Sequence, residues 1–294
     1  GISVGVNPTE TAQLLGVSRT SVYRMISDGE LPTVKLGGPR STRIVTAELL
    51  RSGEIVALPT ETVYGLACLA LNEDAVSKVF TAKKRPLYDP LIVHVEDVSQ
   101  AREVCQPDER TLTLAEAFWP GPLTIVLPKK DCVPDVVTSG LATVAVRSPS
   151  HPVFREILRL VGAPLAAPSA NLFGKVSPTR AEHVIESFGQ DHPPVLDGGP
   201  TEVGIESTVF DLTGPKLKIL RPGPITEEDL VRVIGGEQVT YDSSVHASEK
   251  DGLSSPGLLP YHYQPDSPLA RRQPDQRRQP PGFTHQPDRA PHRQ

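Results

Sequence analysis

Between residues 51 and 235 no hydrophobic period persists for long. Apolar runs at Ile55–Leu58, Leu91–Val95, Leu123–Leu127, Thr143–Arg147, Leu165–Ala167, Val195–Leu196 and Ser207–Leu212 are strand-length and read as β-strands. Between them lie helical patterns at Asp74–Lys84, Pro152–Val161, Thr179–Phe188 and Thr226–Ile234, the second stopped at Gly162. Short strands mixed with helices at this spacing predict an α/β domain built on one twisted sheet. Proline punctuates the pattern: 31 of 294 residues, about twice ordinary usage. Many close a β-like run and read as loop-setting residues. Those beyond Asp266 sit in DSPLARRQPDQRRQPPGFTHQPDRAPHRQ, where Leu269 and Phe283 are the large apolar residues. Such a segment buries too little surface to offset its ordering entropy, so residues 266–294 are expected to be disordered.

The net charge of −5 is unevenly spread, with mildly basic ends and an acidic body. An acidic body does not hold nucleic acid by charge alone. Three scattered cysteines, Cys68, Cys105 and Cys132, argue against a disulfide framework and a zinc site; they suit a reducing cytoplasm and read as small buried hydrophobes. No apolar run approaches the ~20 residues of a membrane span, and no leader pattern is seen at the start, so no membrane partner is expected.

Residues 1–45 read as a separate unit. Asn7-Pro8-Thr9-Glu10 opens a helix running to about Leu15, Gly16-Val17 turns, and Ser18 caps a second helix over roughly 19–27. Thr33–Leu36, a Gly37-Gly38 turn and Arg43–Val45 read as a small β wing. The stretch TAQLLGVSRTSVYRMISDGELPTVKLGG resembles the excisionase/MerR-like DNA-binding domain. The resemblance implies DNA contacts at Arg19, Thr20, Ser21 and Arg24, with Lys35, Arg40 and Arg43 near phosphates. The plainer alternative is a docking or dimerising appendage.

In the body, polar residues gather where strands end, the usual place for a ligand site in α/β folds. Lys83 and Arg85 can place two positive charges on one triphosphate, and Arg221 a third. Ser169, Asn171 and Ser177 supply neutral donors. There is no G-x-x-x-x-G-K-[ST] loop and no G-x-G-x-x-G after a strand. Taken singly, each residue also has a structural reading: Lys83 and Arg85 as cations at a helix end, Ser177 as a helix cap, His94 as a satisfied strand histidine, Arg147 as half of a local ion pair.

Eight motifs shift that balance. PTETVYGL, KKRP…PLIVHV, WPGPLTIVL, VAVRSP, PLAAPSAN, SPT, DGG…GIESTVFDL and ILRPGPIT occur in the order seen in the YrdC-like family of L-threonylcarbamoyladenylate synthases. The resemblance spans about residues 46–235 and implies a twisted mixed sheet with helices around a basic cavity. The family's Lys-x-Arg and Ser-x-Asn signature falls on Lys83, Arg85, Ser169 and Asn171, the implied catalytic set. The implied reaction joins L-threonine, bicarbonate and ATP, with Mg²⁺, into threonylcarbamoyl-AMP and pyrophosphate, for a downstream tRNA threonylcarbamoyltransferase complex. The implied ATP set is Lys83, Arg85, Asp89, Thr143, Ser169, Asn171, Ser177 and Arg221; the implied threonine set is Thr62, His94, Arg147, Ala167 and Ser207. Asp89 departs from the asparagine usual in the family and puts a carboxylate near the triphosphate. The catalytic domain is expected over 46–238. Residues 239–265, with SPG and HYQP, resemble the linker of the two-domain members. The alternative reading is a helix-turn-helix regulator whose YrdC-like domain binds a nucleotide or RNA.

Overall fold

The computed structural model describes residues 39–214, 216–235 and 239–241, with Ser18, Thr20, Ser21, Tyr23 and Arg24. The expected first helix, Arg19, Lys35, most of the linker and the Arg/Pro-rich tail lie outside the described residues. No helix among the described residues is long and apolar enough to cross a membrane.

Among the described residues nine strands form one sheet: β1 (Val56–Pro59), β2 (Tyr64–Leu69), β3 (Ile92–His94), β4 (Leu123–Pro128), β5 (Thr143–Arg147), β6 (Leu165–Ala166), β7 (Thr208–Asp211), β8 (Leu217–Arg221) and β9 (Val239–Tyr241). Their order is β1-β2-β6-β3-β5-β4-β7-β8-β9. The sheet is mixed: β3–β5, β4–β7 and β8–β9 run parallel, the other pairs antiparallel. The expected strand at Val195–Leu196 contributes one bridge, Val195 to Ala57; Pro193 and Pro194 before it lack the N–H groups that a ladder needs.

Side-chain alternation divides the sheet's two faces. Val93, Ile125, Val146 and Phe210 point into the main core. There they meet α2 (Glu73–Lys83), α3 (Val98–Val104), α4 (Glu109–Phe118), α7 (Ala181–Phe188) and α8 (Glu227–Ile234). Their neighbours Ile92, Val126, Ala145 and Val209, with Leu220, form a small apolar patch on the other face. A second core lies under α1 (Pro39–Arg51) and α6 (Pro152–Val161), which cover β1, β2 and β6. Short α5 (Asp135–Thr138) lies before β5.

The helix ends explain several site positions. Asn72 caps α2, accepting from the Ala75 N–H at 3.0 Å, and Lys84 ends it in the left-handed region at φ 53°. That turn separates Lys83, inside the helix, from Arg85, outside it. In α6, Val153, Phe154, Ile157, Leu158 and Val161 make one apolar stripe, opened by Pro152 and closed by Gly162 at φ 70°.

The β wing expected at Arg43–Val45 is helix instead, the middle of α1. Thr46, Ala47, Leu49 and Leu50 are all buried, and Arg43 pairs with Glu156 of α6. Burial of that stripe outweighs the strand preference of Ile44-Val45. The helix also runs across the expected domain boundary at residue 45. Cys68 and Cys105 are buried as expected, but Cys132 is exposed.

A cavity lined by three guanidinium groups

Loops at the strand ends enclose a cavity of about 500 Å³. Thr60, Thr62, Val63 and Gly65 of the β1–β2 turn form one wall, and Ile92 and His94 of β3 the floor. Arg147 ends β5; Ala167, Pro168 and Ser169 follow β6; Glu206 and Ser207 precede β7; Arg221 ends β8; Arg85 follows α2. The whole expected threonine set, Thr62, His94, Arg147, Ala167 and Ser207, meets here. Parallel pairing of His94 with Arg147 and antiparallel pairing of Arg147 with Thr124 set that convergence.

Arg147 is 3% exposed and held on three sides. Its Nη2 pairs with Glu61 Oε1 at 2.6 Å, its Nη1 donates to Thr62 Oγ1 at 2.9 Å, and its Nε donates to the Gly121 carbonyl at 3.3 Å. The other Glu61 oxygen accepts from the Ser150 N–H at 3.1 Å. Arg147 also lines the cavity, and a guanidinium is the group that grips a carboxylate bidentately. Arg221 donates to the Ser207 carbonyl at 3.1 and 3.0 Å and to Ser207 Oγ at 3.1 Å, and that hydroxyl bonds Thr124 Oγ1 at 2.7 Å. Gly223 lets this wall close: a Cβ there would lie 2.4 Å from the Thr208 nitrogen and 2.7 Å from the Glu206 oxygen, both backbone atoms. We expect Gly223→Ala to cost about 1–3 kcal/mol in urea unfolding, the scale of an overpacked core.

The expected ATP set divides. Arg85, Ser169 and Arg221 line the cavity. Lys83 lies behind it, 1% exposed, donating to the Ser169 carbonyl at 2.5 Å, the Asn171 carbonyl at 2.6 Å and Asn171 Oδ1 at 3.4 Å. Burial, then the nearby Arg85, holds its ammonium well below the usual lysine range. In this geometry Lys83 braces the Ser-x-Asn loop, and Asn171 is turned onto the carbonyls of Leu172 and Lys175. Asp89 is fully buried and ion-paired with Arg85 at 2.9 Å. It aims that guanidinium instead of facing the cavity. Arg85 also donates to the carbonyls of Asp89 and Pro90 and lies 6.0 Å above the Phe173 ring. Ser177 donates to the Glu206 carboxylate. Thr143, at the far end of β5 from Arg147, lines a second cavity of about 230 Å³ with Pro90, Leu91, Thr138 and Leu141.

His94 is 2% exposed, stacks at 5.1 Å on Phe154, and has no hydrogen-bond partner at Nδ1. Burial, then Arg147, pushes its pKa down to about 3, so the ring is neutral. The unfolded chain takes up a proton near pH 6.5, whereas the folded one refuses it until about pH 3. Acid therefore favours unfolding: the stability is present above the unfolded value and is lost as pH falls toward the folded one. Between about pH 7 and pH 5 we expect a loss of about 2 kcal/mol from this residue. Urea unfolding at both values should show a smaller loss in His94→Gln.

In the N-terminal region Ser18 Oγ accepts from the Ser21 N–H at 3.0 Å, the cap expected there, and Thr20, Ser21, Tyr23 and Arg24 are helical. Thr20 Oγ1 reaches Glu54 at 3.5 Å and Tyr23 packs against the second core. Part of the face expected on DNA thus meets the body. Arg43, expected near phosphates, is committed to Glu156.

Comparison with known proteins agrees with this geometry. The Sua5, YciO and YrdC family model, described as "Telomere recombination", matches residues 48–223, and a "Helix-turn-helix domain" model matches residues 6–52. A protein of Bacillus subtilis named threonylcarbamoyl-AMP synthase is 48% identical over 226 residues, 76% of this chain and 64% of the relative. One of the same name from Pyrococcus abyssi is 45% identical over 227 residues, covering 76% and 65%. The crystal structure of P. abyssi Sua5 complexed with L-threonine superposes with a TM-score of 0.71 at 44% identity, covering 76% of this chain and 65% of that one. The chain thus spans just under two thirds of the length of these relatives.

Proposed function

The chain belongs to the family of Sua5, YciO and YrdC proteins, and on that footing we propose that it condenses L-threonine, bicarbonate and ATP into threonylcarbamoyl-AMP and pyrophosphate. The observation that carries this reading is Arg147: a buried guanidinium in one cavity with Arg85 and Arg221. That guanidinium takes the threonine carboxylate. The His94 ring and Thr62 line the same cavity, and the ring is neutral, so it adds no positive charge there. Phosphate oxygens lie between Arg85, Arg221 and Ser169, and the second cavity with Thr143 extends the nucleotide's path along the sheet.

Catalysis on this reading is positioning and electrostatics, with no covalent intermediate on the protein. Three guanidiniums line the cavity, and Glu61 and Asp89 stand behind two of them. That balance suits Mg·ATP, whose charge is partly neutralised, better than bare ATP. Mg²⁺ enters as part of that substrate: among the described residues no group of three or more His, Cys, Asp or Glu side chains gathers in the manner of a metal site. The product serves a cytoplasmic tRNA threonylcarbamoyltransferase complex.

The test is pyrophosphate release, which should require L-threonine, bicarbonate and Mg·ATP together. ATP binding without that dependence would instead support a nucleotide-sensing regulator.

A further inference from the structure

We propose that Glu206 is the proton acceptor of the carbamoylation step. This rests on the synthase reading and deepens it.

The reaction itself poses the problem. Threonine arrives as an ammonium, and one proton goes to bicarbonate: R–NH₃⁺ + HCO₃⁻ → R–NH₂ + CO₂ + H₂O. The amine lone pair then forms the N–C bond, giving R–NH₂⁺–COO⁻. That adduct must lose one more proton to become the carbamate, R–NH–COO⁻. A carbamate oxygen next attacks the α-phosphorus, and the bond to pyrophosphate breaks with its electron pair on the leaving oxygen. The proton removed from nitrogen balances on pyrophosphate, the stronger base. A group in the cavity must therefore take a proton from nitrogen and surrender it near the leaving phosphates.

The described residues leave one candidate with the right chemistry. Glu61 and Asp89 are buried on guanidiniums and do not line the cavity. His94 lines it, but its pKa of about 3 makes its ring a poor acceptor. The Lys83 ammonium is spent on the Ser169 and Asn171 carbonyls. Glu206 is the one carboxylate among the described residues that lines the cavity. It is half-buried and held by a neutral hydroxyl, that of Ser177. It adjoins Ser207, whose Oγ meets Arg221 and Thr124, and its charge is felt at Lys83 beneath the Ser-x-Asn loop. It thus shares one cavity with the expected threonine residues and with Arg85 and Arg221. The carboxylate takes the proton from R–NH₂⁺–COO⁻ and becomes the acid. When the anhydride bond breaks, the proton passes to pyrophosphate and the carboxylate is restored.

The test uses the full chain. Pyrophosphate release is measured with saturating L-threonine, bicarbonate and Mg·ATP, and threonine binding by calorimetry. Glu206→Ala should lower kcat by about 10²- to 10³-fold, the scale of a lost general base, with threonine affinity within about threefold of wild type. Added formate should restore part of the turnover of Glu206→Ala. Glu206→Gln, which fills the space, should stay slow with formate present. Thermal melting checks that both variants fold. Turnover near wild type in Glu206→Gln overturns the proposal. So does recovery with extra Mg²⁺ instead of formate, which would make Glu206 a metal ligand, or loss of threonine binding in parallel with turnover. A wild-type chain that binds threonine and ATP but releases no pyrophosphate overturns the synthase reading itself, and this assignment with it.

Discussion

Arg147→Met should destabilise the protein by about 3–5 kcal/mol, because it strands the buried Glu61 carboxylate without its cation. Glu61 is 4% exposed; the Ser150 N–H remains to it but carries no compensating charge. The double variant Arg147→Met/Glu61→Gln removes both charges and should recover most of that loss in urea unfolding. Threonine binding should not return with the stability, since the guanidinium is gone. Calorimetry and unfolding on the same samples separate the two effects. A double variant as unstable as the single would show that the ion pair is not what anchors this wall.

The second large effect is at Arg85. Arg85→Ala should cost on the order of 2–4 kcal/mol of transition-state binding, roughly 30- to 10³-fold in kcat/KM for ATP. The single variant also strands Asp89, which is fully buried on Arg85. Arg85→Ala/Asp89→Asn removes that complication and should show the same kinetic loss at near wild-type stability. Asp89→Asn alone should lower the KM for ATP, because the guanidinium then offers its charge to phosphate undivided. Near-normal turnover in the double variant would remove Arg85 from the phosphate site.

These variants separate what could be read along the chain from what could not. β5 and α6 were legible to the residue because their patterns are strong and locally capped. β2 and β8 were not: Tyr64–Leu69 begins within PTETVYGL, whose polar start masks the strand, and Leu217–Arg221 carries a lysine and an arginine. Arg43–Val45 of α1 reads as a wing strand because Ile44-Val45 favours a strand locally, and packing of the helix against α6 reverses that. Glu61 and Glu206 were in plain view inside PTETVYGL and GIESTVFDL, but nothing near them in sequence identifies their partners. Arg147 lies 85 residues beyond Thr62, and Ser177 lies 29 residues before Glu206.

The amino-acid order by itself determined the α/β class, the strand-end loops that carry the chemistry, and the family those loops resemble. Periodicity, caps and motifs are local, and each can be read within a dozen residues. Only the tertiary structure decided which charges face the substrate space. Of the signature cations, Arg85 opens into the cavity, while Lys83, two residues earlier, is turned away onto carbonyls 86 and 88 residues distant. A side chain's direction follows from helix ends, strand register and the partner it meets, and those partners come from far along the chain.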